Sequence, residues 1–275
     1  MRNLIKANIS RLFKDKMFKI FTAVMFFAGA VLPLVYRLRN NESDALVLDL
    51  SLFTYIFIVA ILLSVFTALF IGSEYSGGTL RNKITAGHKR GNIYFANLAV
   101  CSLAGIIFCT AYIIPHTVFG LLLSGRLEAS PQKTASYIAL SFVLTVVFSS
   151  VFTLIAMLCQ SKAHTVAACI LTVFALLFLG VYITSSLNEP EILPGYSYTE
   201  NGVTYEEADT PNPNYISGTK RRVYEFLEDF TPGNQALGIA NFSVSSPLKL
   251  SCYDFLIIAV TSLCGVIIFK RKDLK

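Results

Sequence analysis

The sequence predicts an all-α integral membrane protein with six transmembrane helices. Three observations carry that reading. The chain has 275 residues, of which 54% are hydrophobic and only 15% charged, with a mean hydropathy of +0.60. A soluble domain carries roughly a quarter of its residues charged, so this chain lacks the polar surface to cover itself in water. Six apolar runs are long enough to cross a bilayer, and the basic residues fall predominantly on one side of them. The net charge of +6 therefore reads as membrane topology rather than as nucleic-acid binding.

Residues 2–16, RNLIKANISRLFKDK, come first. Leu4, Ile5, Ile9, Leu12 and Phe13 fall along one helical face and basic residues on the other. That is the pattern of a helix lying in the headgroup plane, and a basic arm obeying only the charge rule is the alternative. The spans follow at Met17–Tyr36, Leu52–Gly72, Tyr94–Leu123, Ala135–Gln160, Thr165–Ser186 and Tyr253–Phe269. Each approaches or exceeds the ~20 residues a helix needs to cross the hydrocarbon core. None has a Lys or Arg at its middle, where insertion costs about 2.5–3.5 kcal/mol per residue. Helices are required, since an open strand leaves backbone groups unpaired in lipid. Pro33 and Pro115 sit inside two runs and predict local kinks. Ala28-Gly29-Ala30 imitates a signal-peptide cleavage site, but the apolar stretch continues past it and the reading is an intact span.

Orientation follows from the basic residues. Fifteen of the 23 Lys and Arg, but only three of the 17 acids (Asp15, Glu74 and Asp273), fall on the side of the N-terminal segment, residues 73–93, Lys162 and the C-terminal tail. Both termini are thus expected in the cytoplasm of a multi-pass protein.

The domain reading is an amphipathic interfacial helix at 1–16, five spans within 17–187, an external segment at 188–251, and the last span with its basic tail at 252–275. The external segment begins acidic and rich in Pro, Asn and Gly, which predicts loop or a small hairpin. Its second half has helical spacing in Val223, Phe226, Leu227 and Phe230, then Pro232 and an apolar stretch of about ten residues, a length that fits an interfacial or re-entrant piece.

The sequence lacks the usual signs of chemistry. No H-E-x-x-H, G-x-S-x-G or Ser/His/Asp arrangement is present, so no catalytic residue is assigned and the chain is not read as an enzyme. The six cysteines lie in or beside apolar runs without C-x-x-C spacing and read as small buried hydrophobes; no metal site is expected. Gly72-Ser-Glu-Tyr-Ser-Gly77 has the glycine spacing of a phosphate-binding loop, but Gly78 and Thr79 stand where Lys and Ser/Thr are required. His116 and Asp254 are lone ionisable residues inside spans. His116 is either a hydrogen-bonded structural group or a marker of a proton or substrate path, and Asp254 is expected near the outer end of its span, within reach of water.

Between the second and third spans lies EYSGGTLRNKITAGHKR, Glu74 to Arg90. Thr79 or Ser76 can cap a short helix, Leu80 and Ile84 share a face at i and i+4, and Gly87 can end it. Two apolar knobs among basic neighbours suit docking into a partner's groove; a solvated basic loop, or one bound to anionic headgroups, is the plain alternative. This stretch resembles the E-Y-x-x-G-T-L-R-x-x-I/L-x-x-G-x-x-R sequence of ABC-2 type transporter permeases, and the layout of the whole chain is similar to that family's. FLEDFTPGNQALGI is similar to the Pro/Gln-bearing segment before the final helix in many Firmicute members.

The resemblance implies a half-transporter in a plasma membrane: two six-helix permease subunits, identical or paralogous, with two copies of a separate ATP-binding subunit. It implies that residues 76–87 are a coupling helix, with Glu74, Thr79, Leu80, Arg81, Ile84 and Gly87 serving ATPase coupling and Lys162 a secondary contact. ATP and Mg would be bound by the partner and no cofactor by this chain. The pore would form at the interface between subunits from the second and fifth spans, where the small residues Ser64, Thr67, Ala68 and Gly180 would permit close approach along the substrate path. The cargo would be a hydrophobic or amphipathic peptide, lipid-like molecule or drug, exported from the cell. A non-transporting sensor or scaffold, whose acidic external loop binds a ligand, is the rival expectation.

Overall fold

A computed structural model describes residues 1–39, 46–123, 125–195, 197–200, 203–206 and 208–272. Asp273 and Lys275, which entered the charge reading, and Asn201, Gly202 and Glu207 of the external segment lie outside the described residues. The chain opens with helix α1 (Arg2–Lys14) and α2 (Lys16–Arg39), then a two-residue strand β1 (Leu46–Val47), a short helix α3 (Asp49–Phe53) and α4 (Tyr55–Ser76). Helix α5 (Thr79–Thr85) leads into α6 (Arg90–Leu122), strand β2 (Gly125–Arg126), α7 (Pro131–Leu158) and α8 (Lys162–Leu187). Strands β3 (Ile192–Leu193), β4 (Ser197–Glu200), β5 (Val203–Glu206) and β6 (Thr210–Pro211) precede α9 (Gly218–Phe230), α10 (Pro232–Ala240) and α11 (Pro247–Arg271).

Among the described residues, six helices are long and apolar enough to cross a membrane: α2, α3–α4 taken as Ser51–Ser76, α6, α7, α8 and α11. They match the six runs expected from the sequence, and the chain is a multi-pass membrane protein of all-α class, its strands among the described residues two to four residues long. α6 is the longest at 33 residues, about 50 Å at 1.5 Å per residue, so it extends past the ~30 Å hydrocarbon core.

The interior is built by α4, α6 and α7. Phe66, Phe70, Phe108, Phe148 and Phe152 are fully or almost fully enclosed, with Phe18 of α2 stacked on Phe108. The flanking helices α2, α8 and α11 leave large apolar side chains outside, among them Phe27, Leu171, Phe178, Phe255 and Leu263. Such a surface is costly in water and neutral against lipid tails.

Close crossings explain the small residues. A Cβ on Gly29 would lie 2.4 Å from the Tyr112 carbonyl oxygen and 3.0 Å from Pro115 Cγ. The Ala-Gly-Ala triplet that imitates a cleavage site is thus a contact between α2 and α6. Both helices continue through Pro33 and Pro115. A Cβ on Gly233 would come within 1.9 Å of the Leu176 carbonyl oxygen, so α10 lies directly on α8.

Of the two expectations for the start of the external segment, loop or small hairpin, the structure has the hairpin, and helices follow it. β4 and β5 pair antiparallel from Ser197↔Glu206 to Glu200↔Val203, and β3 pairs with β6. The apolar stretch after Pro232 forms α10, whose Gly233, Asn234, Gln235, Ala236 and Ile239 are buried in the bundle. α9 buries no residue and leaves Val223 and Phe226 exposed.

Candidate functional site

The polar island forms α5, hung directly between α4 and α6, and its local chemistry differs from the expected caps. Neither Ser76 nor Thr79 caps it. Gly78 occupies the N-cap with φ +66°, in the left-handed region that glycine enters without strain. The Thr79 hydroxyl turns back to donate to the Glu74 carbonyl at 3.2 Å. The expected C-terminus holds: Gly87 has φ +85°, its N–H donates to Ile84, and the His88 N–H donates to Lys83. This is a glycine-terminated Schellman cap.

Glu74, on the last turn of α4, has no exposed side-chain surface. Its Oε1 accepts from Arg11 Nη1 and from Lys83 Nζ, and its Oε2 accepts from Asn97 Nδ2 at 3.0 Å. Asn97 Oδ1 accepts from Asn8 Nδ2 at 2.7 Å, and Asn8 Oδ1 accepts from Lys83 Nζ at 3.0 Å. Glu74, Lys83, Asn8 and Asn97 therefore close a ring of hydrogen bonds, with Arg11 attached from outside and its guanidinium 3.7 Å above the Phe70 ring. Four helices meet in it: α1, α4, α5 and α6. Burial lowers the Lys83 pKa from its usual value, and the neighbouring Glu74 carboxylate opposes that shift. A buried charge held this way is strongly destabilising if one partner is removed.

Two further clamps close the same end of the bundle. Lys272 Nζ donates to the Met157 and Leu158 carbonyls at 3.2 and 2.7 Å and to the Tyr75 hydroxyl at 3.2 Å, capping the end of α7. Burial lowers its pKa. Arg90 Nη1 donates to the carbonyls of Phe269 and Lys270 at 2.9 and 3.1 Å and to that of Lys272, capping α11. The basic residues that the charge pattern puts on one side are thus gathered at one end, several of them in structural bonds.

The expected site residues divide on inspection. Leu80 is 1% exposed and anchors α5 to the bundle, and Ile84 packs against the core; neither is an outward knob. A seven-residue helix lying over a buried ion pair needs an apolar side to cover it, and this pair supplies that side. The outward face consists of Arg81, Asn82, Thr85 and Ala86. Beside it opens a cleft of about 350 Å³ lined by Glu74, Tyr75, Ser76, Gly78, Leu80, Arg81 and Gln160. Lys162 is exposed at the start of α8, and its stem fills the space over Gly72, where a Cβ would meet it at 3.2 Å.

Ser64, Thr67 and Ala68 have no exposed surface. They allow α4 to pack inside this chain and present nothing to a second subunit. Gly180 is buried where α8 crosses α10: a Cβ there would lie 2.8 Å from Asn234 Oδ1 and from the Gly233 carbonyl carbon. His116 is likewise enclosed, bonded to Ser51 Oγ at 3.1 Å and stacked on Tyr112. Asp254 does not reach water. It is fully buried, and neither carboxylate oxygen has a hydrogen-bond partner.

α1 also sits differently from the expected face. Leu4, Asn8 and Leu12 are its buried line, while Phe13 is 53% exposed. The helix is rotated to bring Asn8 and Arg11 onto Glu74. Sequence reasoning did not single out Asn8, Arg11 or Asn97; an asparagine within an apolar run and another on an apolar stripe were the signals available.

All six cysteines are free, and among the described residues no group of three or more His, Cys, Asp or Glu is placed to hold a metal. No protein-family model matches the chain, and no curated protein matches it in sequence.

Proposed function

We propose that this chain is the membrane-spanning permease subunit of an ATP-driven transporter of ABC-2 type, with α5 as its coupling helix. The observation that carries the reading is the clasp: α5 is a short helix strung between two spans and locked to α1, α4 and α6 through Glu74. A push on such a helix moves the spans rather than bending a loop. Shifting an access equilibrium from 1:99 to 99:1 takes about 5.5 kcal/mol of differential interaction, which two separate ATP-binding subunits, carrying ATP and Mg²⁺, would supply. A second permease chain, identical or paralogous, completes the passage, and the cargo is a hydrophobic or amphipathic molecule moved outward across the plasma membrane. Both termini and α5 face the cytoplasm in this reading.

The contact surface on α5 is the outward polar face, not Leu80 and Ile84. The test is co-expression with the ATP-binding subunit and measurement of complex ATPase activity after Arg81→Glu with Thr85→Glu. Loss of complex activity with normal membrane insertion supports the proposal; full activity in that variant contradicts it. Leu80→Asp is unsuitable, because it disrupts the bundle itself.

The sensor reading draws on the paired strands of residues 192–211 and on Asn212, which donates to Glu189 and to the Pro190 carbonyl at 2.9 Å each. Deleting residues 190–215 separates the two: ATP-driven flux survives under the transporter reading, and ligand response disappears under the other.

A further inference from the structure

The end of the bundle opposite α5 contains a cavity of about 130 Å³ between α9, α10 and the adjoining ends of α8 and α11. Its polar lining sets two carboxylates and the carboxamides of α10 beside the hydroxyls of Thr184, Ser243 and Ser245. Glu228 and Asp229 contribute carboxylates, and Asn234 and Gln235 contribute carboxamides. Both amides are buried, at 3% and 1% exposure. Their nitrogens are committed elsewhere: Gln235 Nε2 donates to the Asp229 carbonyl at 2.9 Å, and Asn234 Nδ2 donates to Thr184 Oγ1 at 3.5 Å. Those bonds fix which way the amides face and leave Gln235 Oε1 and Asn234 Oδ1 with no donor. A flip of Gln235 to pair its oxygen would forfeit the bond to Asp229.

Charge points the same way. Leu250 of α11 lines the cavity, and Asp254 follows it by one turn on the same helix face. Gln235 is the side chain that approaches Asp254, without closing a hydrogen bond. Two cations act here: Lys249 pairs with Asp229 Oδ2 at 2.5 Å, and Arg221 acts on Glu228 from the same helix. Asp254 thus accepts no hydrogen bond, and the cavity holds an acid, Glu228, beside two donor-less amide oxygens. Buried groups of this kind are costly and call for a partner.

We propose that this cavity binds a small hard cation, coordinated by Glu228 and by the carboxamide oxygens of Gln235 and Asn234, with Asp254 balancing its charge from one turn deeper. Calcium, magnesium and sodium take oxygen ligands of this type. The cavity has room for an ion with a few waters and is smaller than the pockets of about 300 Å³ and upward that hold drug-sized molecules. The site is independent of the transporter reading, since its residues touch neither α5 nor the Glu74 ring.

The experiment is thermal unfolding of the full purified chain in nanodiscs, titrated separately with CaCl₂, MgCl₂ and NaCl up to about 10 mM for the divalent ions, a range that covers weak calcium sites, with choline chloride holding ionic strength constant. At least one cation raises the unfolding temperature saturably. Glu228→Gln weakens its apparent affinity at least about tenfold, in keeping with the dependence of such sites on ligand charge. Glu191→Gln, exposed and outside the cavity lining, leaves it unchanged. The proposal is overturned if no ion exceeds choline, or if Glu228→Gln titrates like the parent chain. Should that variant fail to fold, the titration of the parent chain decides alone.

Discussion

Glu74 and Asp254 are both enclosed carboxylates at opposite ends of one helical bundle, and their surroundings differ in almost every respect. Glu74 receives two cations and an amide, inside a ring that joins four helices. Asp254 accepts no hydrogen bond, and the group that approaches it is the neutral amide of Gln235. The first arrangement fixes a position; the second leaves charge to be balanced by something that binds. A membrane protein that must transmit a push at one end and respond at the other would be built with this asymmetry, because a satisfied polar network is rigid and an unsatisfied one is sensitive to its occupant.

The contrast can be broken most severely at the paired end. Glu74→Ala strands Lys83 and Arg11 against a buried pocket, and a loss of about 3 kcal/mol or more is expected from removing one partner of a buried pair. Thermal unfolding in nanodiscs measures it, and an unchanged midpoint would mean that the clasp does not hold the helices. Next in size is Gly233→Ala, which forces α10 away from the Leu176 carbonyl and costs about 1–3 kcal/mol by overpacking. That variant separates poor packing from poor charge balance at the second end: it lowers stability with or without cations.

Asp254→Asn should have the opposite sign to Glu74→Ala. In buffer free of metal ions it removes an unpaired buried charge and raises stability by about 1 kcal/mol; a fall instead would reveal a partner for Asp254 and erase the contrast. The smallest effect is a pH dependence at Lys83. Its folded pKa lies below 10.5 because of burial, so above the folded pKa the unfolded chain binds more protons than the folded one. Stability therefore rises as pH climbs from the folded pKa toward 10.5, and Lys83→Met abolishes that increment in a pH series of unfolding midpoints.

Much of the bundle was legible because a bilayer imposes a length and a polarity on each span. Met17–Tyr36 became Lys16–Arg39 in the fold, and Tyr253–Phe269 became Pro247–Arg271; the second began earlier because Pro247 starts the helix at N1 ahead of the apolar run. The island helix and its Gly87 stop were legible from local chemistry. Its start was not, since Gly78 caps through its backbone conformation and offers no side chain to read. Leu80 and Ile84 were legible as a pair but not in direction, because a helix of two turns shows an apolar face without saying whether it looks at its own bundle or at a partner. The Glu74 ring could not be read at all: Asn8, Asn97 and Lys83 meet it only through folding, and no spacing in the chain links residue 8 to residue 97. Asp254 fails in the same way, since its burial comes from α11 packing on α7 and α6, helices far from it in the chain.

Thr85 gives the most direct test of the central claim that α5 is a cytoplasmic lever. It lies on the exposed face of α5. In a chain with the native cysteines replaced by serine or alanine, Thr85→Cys should resist a membrane-impermeant maleimide in intact cells and react in inside-out vesicles, where the proposed ATP-binding subunit, once added, should shield it. Rapid labelling in intact cells would put α5 on the outer surface, beyond reach of any ATPase, and would contradict the account.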